Sequence, residues 1–112
     1  MHAPESNPST EYLVNDDPAR SFAVRVSTTA TQHFVLASGE LDYATRYCLY
    51  QACIGGEDVA VVVDLSAITF MDCGGYGAIE AARRFLEARG NSLTICNQTG
   101  QPARLLDDYF SA

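Results

Sequence analysis

Covalent chemistry in this 112-residue chain would have to come from four cysteines, Cys48, Cys53, Cys73 and Cys96, or from two histidines, His2 and His33. A cysteine nucleophile needs a base beside it. Only His33 falls in the part that reads as folded, so a Cys73–His33 pair would rest on chance proximity and no enzymatic activity is expected. The cysteines are irregularly spaced and form no CxxC pair, so no zinc site, other metal or cofactor is expected. In a reducing compartment they read as thiols packed like small apolar groups. Asp107 and Asp108, side by side in a terminal helix, read as a solvated face rather than an acid–base pair.

Position singles out one cysteine. Residues 64–77, Asp-Leu-Ser-Ala-Ile-Thr-Phe-Met-Asp-Cys-Gly-Gly-Tyr-Gly, lie at the carboxyl end of an expected parallel strand, where open α/β sheets present their sites. Gly74, Gly75 and Gly77 would let the backbone bend tightly and bare its amides at a helix start, where partial positive charge collects. That charge favours a thiolate at Cys73, while Asp72 beside it opposes one. The glycines fit neither GxGxxG nor GxxxxGK[ST], so turn chemistry explains them better than a nucleotide cradle.

The elements that position this segment follow from periodicity. Phe22, Val24 and Val26 alternate with polar neighbours, and after the turn Thr28–Thr31 a second run, His33–Ala37, predicts an antiparallel hairpin. Gly39-Glu40-Leu41-Asp42 then breaks the strand, and Asp42 caps a helix over residues 43–54. Thr45, Leu49, Ala52 and Cys53 form its buried stripe, Tyr47, Cys48 and Tyr50 turn toward the flanks, and Gly55-Gly56 ends it. Val59–Val63 is apolar at every position and predicts a central strand covered on both faces. A helix over 76–89 carries Ala78, Ile79, Ala82, Phe85 and Leu86 at helical spacing, with Gly90 as its stop. Ser92–Cys96 alternates as a strand reached by a right-handed crossover. Pro102 opens a last helix through Leu105, Leu106, Tyr109 and Phe110. The order ββαβαβα predicts an α/β domain with a mixed four-stranded sheet and three main helices.

Seven Lys and Arg face fourteen Asp and Glu, a formal charge of −7, with 47% hydrophobic and 19% charged residues. This is the composition of one domain with a real core, and an acidic surface without a basic patch excludes direct nucleic-acid binding. No apolar run is long enough to span a membrane, and residues 1–20 have no signal-peptide pattern, so a cytoplasmic protein is expected. Those first 20 residues, rich in Pro, Ser, Asn and acids, read as a flexible tail dispensable for the fold, leaving 21–112 as the domain.

Gly39-Glu40-Leu41-Asp42, then Val61-Val62-Val63-Asp64-Leu65-Ser66 and Ile68-Thr69-Phe70-Met71-Asp72-Cys73-Gly74-Gly75-Tyr76-Gly77, with a helix ending in Gly90, resemble the STAS domain of bacterial anti-sigma factor antagonists. The likeness runs from about Phe22 to Phe110. It implies a STAS-like fold and a partner-switching role in transcription and stress signalling: binding an anti-sigma factor, commonly a kinase-like ATP-binding protein, so that a sigma factor is released. Members switched off by phosphorylation carry the modified serine or threonine directly after the aspartate matching Asp72. Here that position is Cys73, followed by Gly74.

A thiol is not a substrate for such a kinase, so the usual off-switch is missing. Ser66 and Thr69 are nearby hydroxyls, and neither matches the modified position. Three readings of Cys73 stay open: an inert substitution in a constitutive antagonist, a redox sensor, or a protein that has moved to another partner. The redox reading has Cys73 joined to Cys96, Cys53 or Cys48 in a disulfide. The expected partner face is Asp72, Cys73, Gly74, Gly75 and Tyr76 with Tyr43, Tyr47 and Tyr50 as an aromatic patch. A STAS module sensing a small ligand or nucleotide within a larger assembly is the alternative, and self-association into a homodimer is left open.

Overall fold

In the computed structural model, which describes residues 10–15, 21–56 and 58–110, the expected elements appear in the expected order. They are β2 (Phe22–Thr28), β3 (Gln32–Leu41), α1 (Arg46–Ile54), β4 (Ala60–Met71), α2 (Cys73–Glu87), β5 (Leu93–Cys96) and α3 (Gly100–Phe110), preceded by a further strand, β1 (Thr10–Asn15). The sheet order is β1-β2-β3-β4-β5. The β1–β2 and β2–β3 pairs are antiparallel, and the β3–β4 and β4–β5 pairs are parallel. Strand β1 corrects the tail reading for residues 10–15: Tyr12 pairs with Val26 and Leu13 with Arg25 on the sheet edge. Thr10–Asn15 shows no alternation, its apolar residues Tyr12, Leu13 and Val14 being consecutive between Pro- and Asp-containing flanks, so its strand character shows only against a partner edge. The rest of that reading, on residues 1–9 and 16–20, lies outside the described residues.

Register explains the core. Val26, Val35, Val63 and Ile95 form one row, with Thr28, His33, Val61 and Leu93 in the next. The valines and Leu93 of these rows meet Leu49, Ala52 and Cys53 of α1 and Ile79, Ala82 and Leu86 of α2 in a single buried cluster, and the expected stripes of both helices are buried except for Phe85, which is only partly buried against the cluster. The opposite face carries Ser27, Phe34, Val62 and Thr94, then Arg25, Leu36, Asp64 and Cys96. Phe34 and Leu36 are each 38% exposed there, so β4 is covered fully on one face rather than on both.

Three boundaries differ from expectation. Residues 39–41 do not break β3. They continue it, and β4 extends with them to Met71 through two register shifts. Leu65, Ile68 and Met71, three apart, are consequently the buried positions, a spacing that irregular pairing produces and simple alternation hides. Helix α1 starts three residues late. The Asp42 carboxylate accepts from the amides of Ala44 (3.0 Å) and Thr45 (3.1 Å), closing a turn before the helix instead of capping its first turn. Helices α2 and α3 begin early, at Cys73 and Gly100. Where β5 stops, the Gln101 side-chain amide meets the edge of β4. Its oxygen accepts from Met71 N–H and its nitrogen donates to Met71 C=O, each at 2.8 Å. The side chains of Tyr109 and Phe110 lie outside the described residues.

His33 is structural. It is 2% exposed, with Nε2 2.8 Å from the Ala52 carbonyl and Nδ1 2.8 Å from the Thr28 hydroxyl. A carbonyl only accepts, so Nε2 donates to Ala52, while the Thr28 hydroxyl, able to donate or accept, partners Nδ1. Gly56 makes room for the ring, since a Cβ there would lie 2.3 Å from it.

Candidate functional site

The site is built where β3 and β4 end together. Asp72 leaves β4 in extended backbone and caps α2 through its carboxylate, which accepts from Gly75 N–H at 2.9 Å and from Tyr43 N–H at 3.3 Å. Its own N–H donates to the Leu41 carbonyl at 3.3 Å. One side chain thus ties the β3–α1 turn to the start of α2, as the N-cap chemistry of aspartate allows. The buried Thr45 hydroxyl holds the same turn from inside, donating to the Glu40 carbonyl at 3.0 Å and accepting from Asp42 N–H at 2.9 Å.

The glycines act differently from expectation. None of Gly74, Gly75 and Gly77 takes a positive φ, and all three are helical. Gly74 and Gly75 provide clearance: an added Cβ would lie 3.0 Å from Tyr43 Cα in one case and 2.3 Å from the Leu41 carbonyl oxygen in the other. At Gly77 a Cβ would meet nothing within 4 Å. Gly77→Ala is therefore expected to stabilise the domain by about 0.5–1 kcal/mol, the ordinary gain of alanine over glycine in a helix, read as a raised melting temperature by circular dichroism. A lowered one would contradict this geometry.

Cys73 opens α2 and is exposed. His33 sits at the other end of β4, beside Val61, roughly 30 Å along the strand, so the fold forms no Cys73–His33 pair. All four cysteines are free thiols in this structure. Cys96 pairs in register with Asp64, and β4 runs on for seven residues to Met71, roughly 20 Å from there. Cys53 is buried near the end of α1, about 10 Å down that helix from its start. Cys48 is partly buried against the core.

Burial pushes the Cys53 thiol up to about 12. Burial also raises Cys48, and burial with the Asp64 carboxylate raises Cys96. Alkylation followed by peptide mapping is expected to label Cys73 first and Cys53 last, and the reverse order would contradict an exposed Cys73 and a buried Cys53.

Of the expected aromatic patch, Tyr43, Tyr47 and Tyr50 come together while Tyr76 does not. Tyr76 is half-buried against the core, on the side of α2 turned away from α1. Tyr43 and Tyr47 are 67% and 64% exposed. The Arg46 guanidinium lies over both rings, 3.5 and 4.6 Å from their centroids, and donates to the Tyr43 carbonyl. Tyr50 meets Phe85 edge to face at 6.4 Å. Between α1 and α2 runs a groove of about 510 Å³, walled by Tyr43, Arg46, Tyr47 and Tyr50 and floored by the small residues Gly74, Gly77, Ala78 and Ala81.

Sequence reasoning missed Arg46, although its place between two tyrosines three and one residues away was visible. It also missed Phe70, 43% exposed at the end of β4, which reads as core within its apolar run. The nearby hydroxyls are engaged locally: that of Thr69 donates to the Gly39 carbonyl at 3.2 Å, and that of Ser66 donates to Asp64, as does the Ser66 N–H at 2.8 Å.

At Asp64 burial is the largest influence and pushes the carboxyl up, but hydrogen bonds from the Ser66 amide, the Ser66 hydroxyl and Asn97 outweigh it, leaving the group below its ordinary value. Ionised Asp64 therefore adds stability above the unfolded-chain value, near pH 4, and that stability is lost as pH falls through the lower folded value. Asp64→Asn is expected to flatten this part of the stability–pH curve in urea titrations. An unchanged acid limb would count against it.

Among the described residues no helix is long and apolar enough to cross a membrane, and no three His, Cys, Asp or Glu side chains cluster to hold a metal. The family model for the STAS domain matches residues 25–109, and the chain belongs to that family. Its fold is similar to that of the anti-sigma factor antagonist SpoIIAA in its unphosphorylated form, at 18% identity and TM-score 0.63 over 79% of this chain and 81% of that one. It is also similar to an antisigma-factor antagonist STAS domain from Rhodobacter sphaeroides, at 22% identity and TM-score 0.59 over 68% and 86%. The murine solute carrier 26 family member A9 anion transporter contains the same fold, at 19% identity and TM-score 0.62 over 73% of this chain. This chain spans 14% of that transporter and 20% of the chain of Mglu, a further match at 18% identity and TM-score 0.60 over 68% of this chain. No curated protein matches the sequence. At these identities the structural likeness shows the fold.

Proposed function

We propose that this domain is a non-enzymatic, cytoplasmic anti-sigma factor antagonist that docks through the surface around Cys73 and frees a sigma factor for transcription. One observation carries the reading. The residue directly after the capping Asp72, where the resembling antagonists carry their phosphorylated serine, is exposed at the first position of α2, between Asp72 and Gly74, both of which approach the exposed Tyr43. A kinase-like partner cannot phosphorylate a thiol as it does serine, and all four cysteines are free thiols in this structure, so the favoured reading is a constitutive antagonist.

The test is affinity for the purified anti-sigma factors of the source genome, with and without ATP. Wild type is expected to bind one of them equally well in both conditions. Cys73→Ser should become phosphorylated and lose affinity on the order of tenfold or more with ATP, and Cys73→Glu should lose it without ATP, because charge then sits in the contact. Wild type binding none of them, or Cys73→Glu binding as wild type does, would overturn the reading.

A further inference from the structure

We propose that the groove between α1 and α2 receives an acidic segment of the protein partner, with an apolar side chain lying over Gly77 and a carboxylate on Arg46. This rests on the reading of the domain as a binder of another protein, and it names the chemistry that partner must present. Two observations carry it.

Gly77 has no reason in the fold. Its backbone is helical, its φ is negative, and a Cβ would touch nothing within 4 Å, unlike Gly74 and Gly75 in the same helix turn. A helix interior that forgoes a methyl group where there is open space keeps its backbone available for close approach from outside.

Arg46 points the same way. In a chain of net charge −7, it has no carboxylate partner among the described residues. Its guanidinium is held in place over the Tyr43 and Tyr47 rings and by the Tyr43 carbonyl. Stacked and pre-positioned, it meets an incoming carboxylate with little ordering left to do. The groove, about 510 Å³, falls in the range of about 300–1,000 Å³ over which clefts enclose a ligand group. An amphipathic partner segment fits such a trough between two helices.

The experiment is an amide-resolved NMR titration of the full chain with the capped peptide Ac-Glu-Leu-Phe-Glu-amide and its neutral counterpart Ac-Gln-Leu-Phe-Gln-amide. The acidic peptide is expected to give saturable shifts at Tyr43, Arg46, Gly77 and Ala81, about tenfold tighter than the neutral one. Gly77→Leu and Ala81→Leu, which fill the groove from its floor, should abolish the shifts while keeping the melting temperature. Arg46→Glu should abolish them too, with Arg46→Lys retaining part. Equal response to both peptides, no saturable response, or shifts confined to the Phe34–Leu36 face would overturn the proposal. Affinity for the anti-sigma factor separates it from the functional reading. If Gly77→Leu binds the factor as wild type does, the groove proposal fails while the antagonist stands. If the acidic peptide occupies the groove and no anti-sigma factor binds, the groove stands and the antagonist assignment fails.

Discussion

Gly75→Ala is expected to destabilise the domain by about 3 kcal/mol, at the upper end of what overpacking costs, and to lower its melting temperature by about 15 °C. The added Cβ would lie 2.3 Å from the Leu41 carbonyl oxygen and 2.8 Å from Leu41 Cγ. Backbone stands on both sides of this contact, so no side chain can swing away to absorb it. Relief requires α2 to withdraw from the end of β3, and that motion stretches the bonds that converge there: Gly75 and Tyr43 to the Asp72 carboxylate, and Asp72 to Leu41. Thermal and urea denaturation of the variant measure the effect directly. A loss below about 1 kcal/mol would mean that helix and strand do not approach this closely. The contrast with Gly77, two residues on, where alanine is expected to stabilise, makes the pair diagnostic, because helix propensity alone predicts the same sign at both.

The second large effect is expected at Gly39→Ala, about 4 kcal/mol, combining steric overlap with a backbone region disfavoured for L residues. Gly39 lies inside β3 at φ +95°, and a Cβ would sit 1.8 Å from the Ser21 carbonyl oxygen. That carbonyl accepts from Glu40 N–H at 3.0 Å, so the hairpin start and the end of β3 are closed against each other at this point. With total stability for a domain this size on the order of 5–15 kcal/mol, the variant is expected to populate unfolded chain measurably at 37 °C. Circular dichroism and an equilibrium urea curve would show it, and a midpoint equal to wild type would refute the assignment of Gly39 to this approach. By residue type alone Gly39 reads as a strand breaker. Within the sheet it keeps the strand going through an irregular pairing.

What was legible in the amino-acid order was what depends on near neighbours in the chain. The stripes Thr45, Leu49, Ala52 and Cys53 and Ala78, Ile79, Ala82 and Leu86 follow from helical period, and the alternation in Phe22, Val24 and Val26 from strand period. Cys73 in the matching position after Asp72 was equally plain, because a motif is a local pattern. The strand β1 was not, since a short edge strand gains its hydrogen bonds only from β2. Nor was the extension of β4, whose buried residues fall three apart because register with β3 shifts twice.

The chain order alone thus determined the family, the succession of elements and the sulfur directly after Asp72. The tertiary structure decided how exposed that sulfur is and what surrounds it. Distances between residues far apart in the chain are set by strand register and by how far each strand runs. Strand β4 runs on to Met71 rather than ending at Val63, which carries Cys73 away from Cys96, and two helices starting at the same edge bring Arg46 and its tyrosines opposite Gly77. Such distances are properties of the packed whole, because each depends on clearances, such as that between Gly75 and Leu41, that no single segment contains.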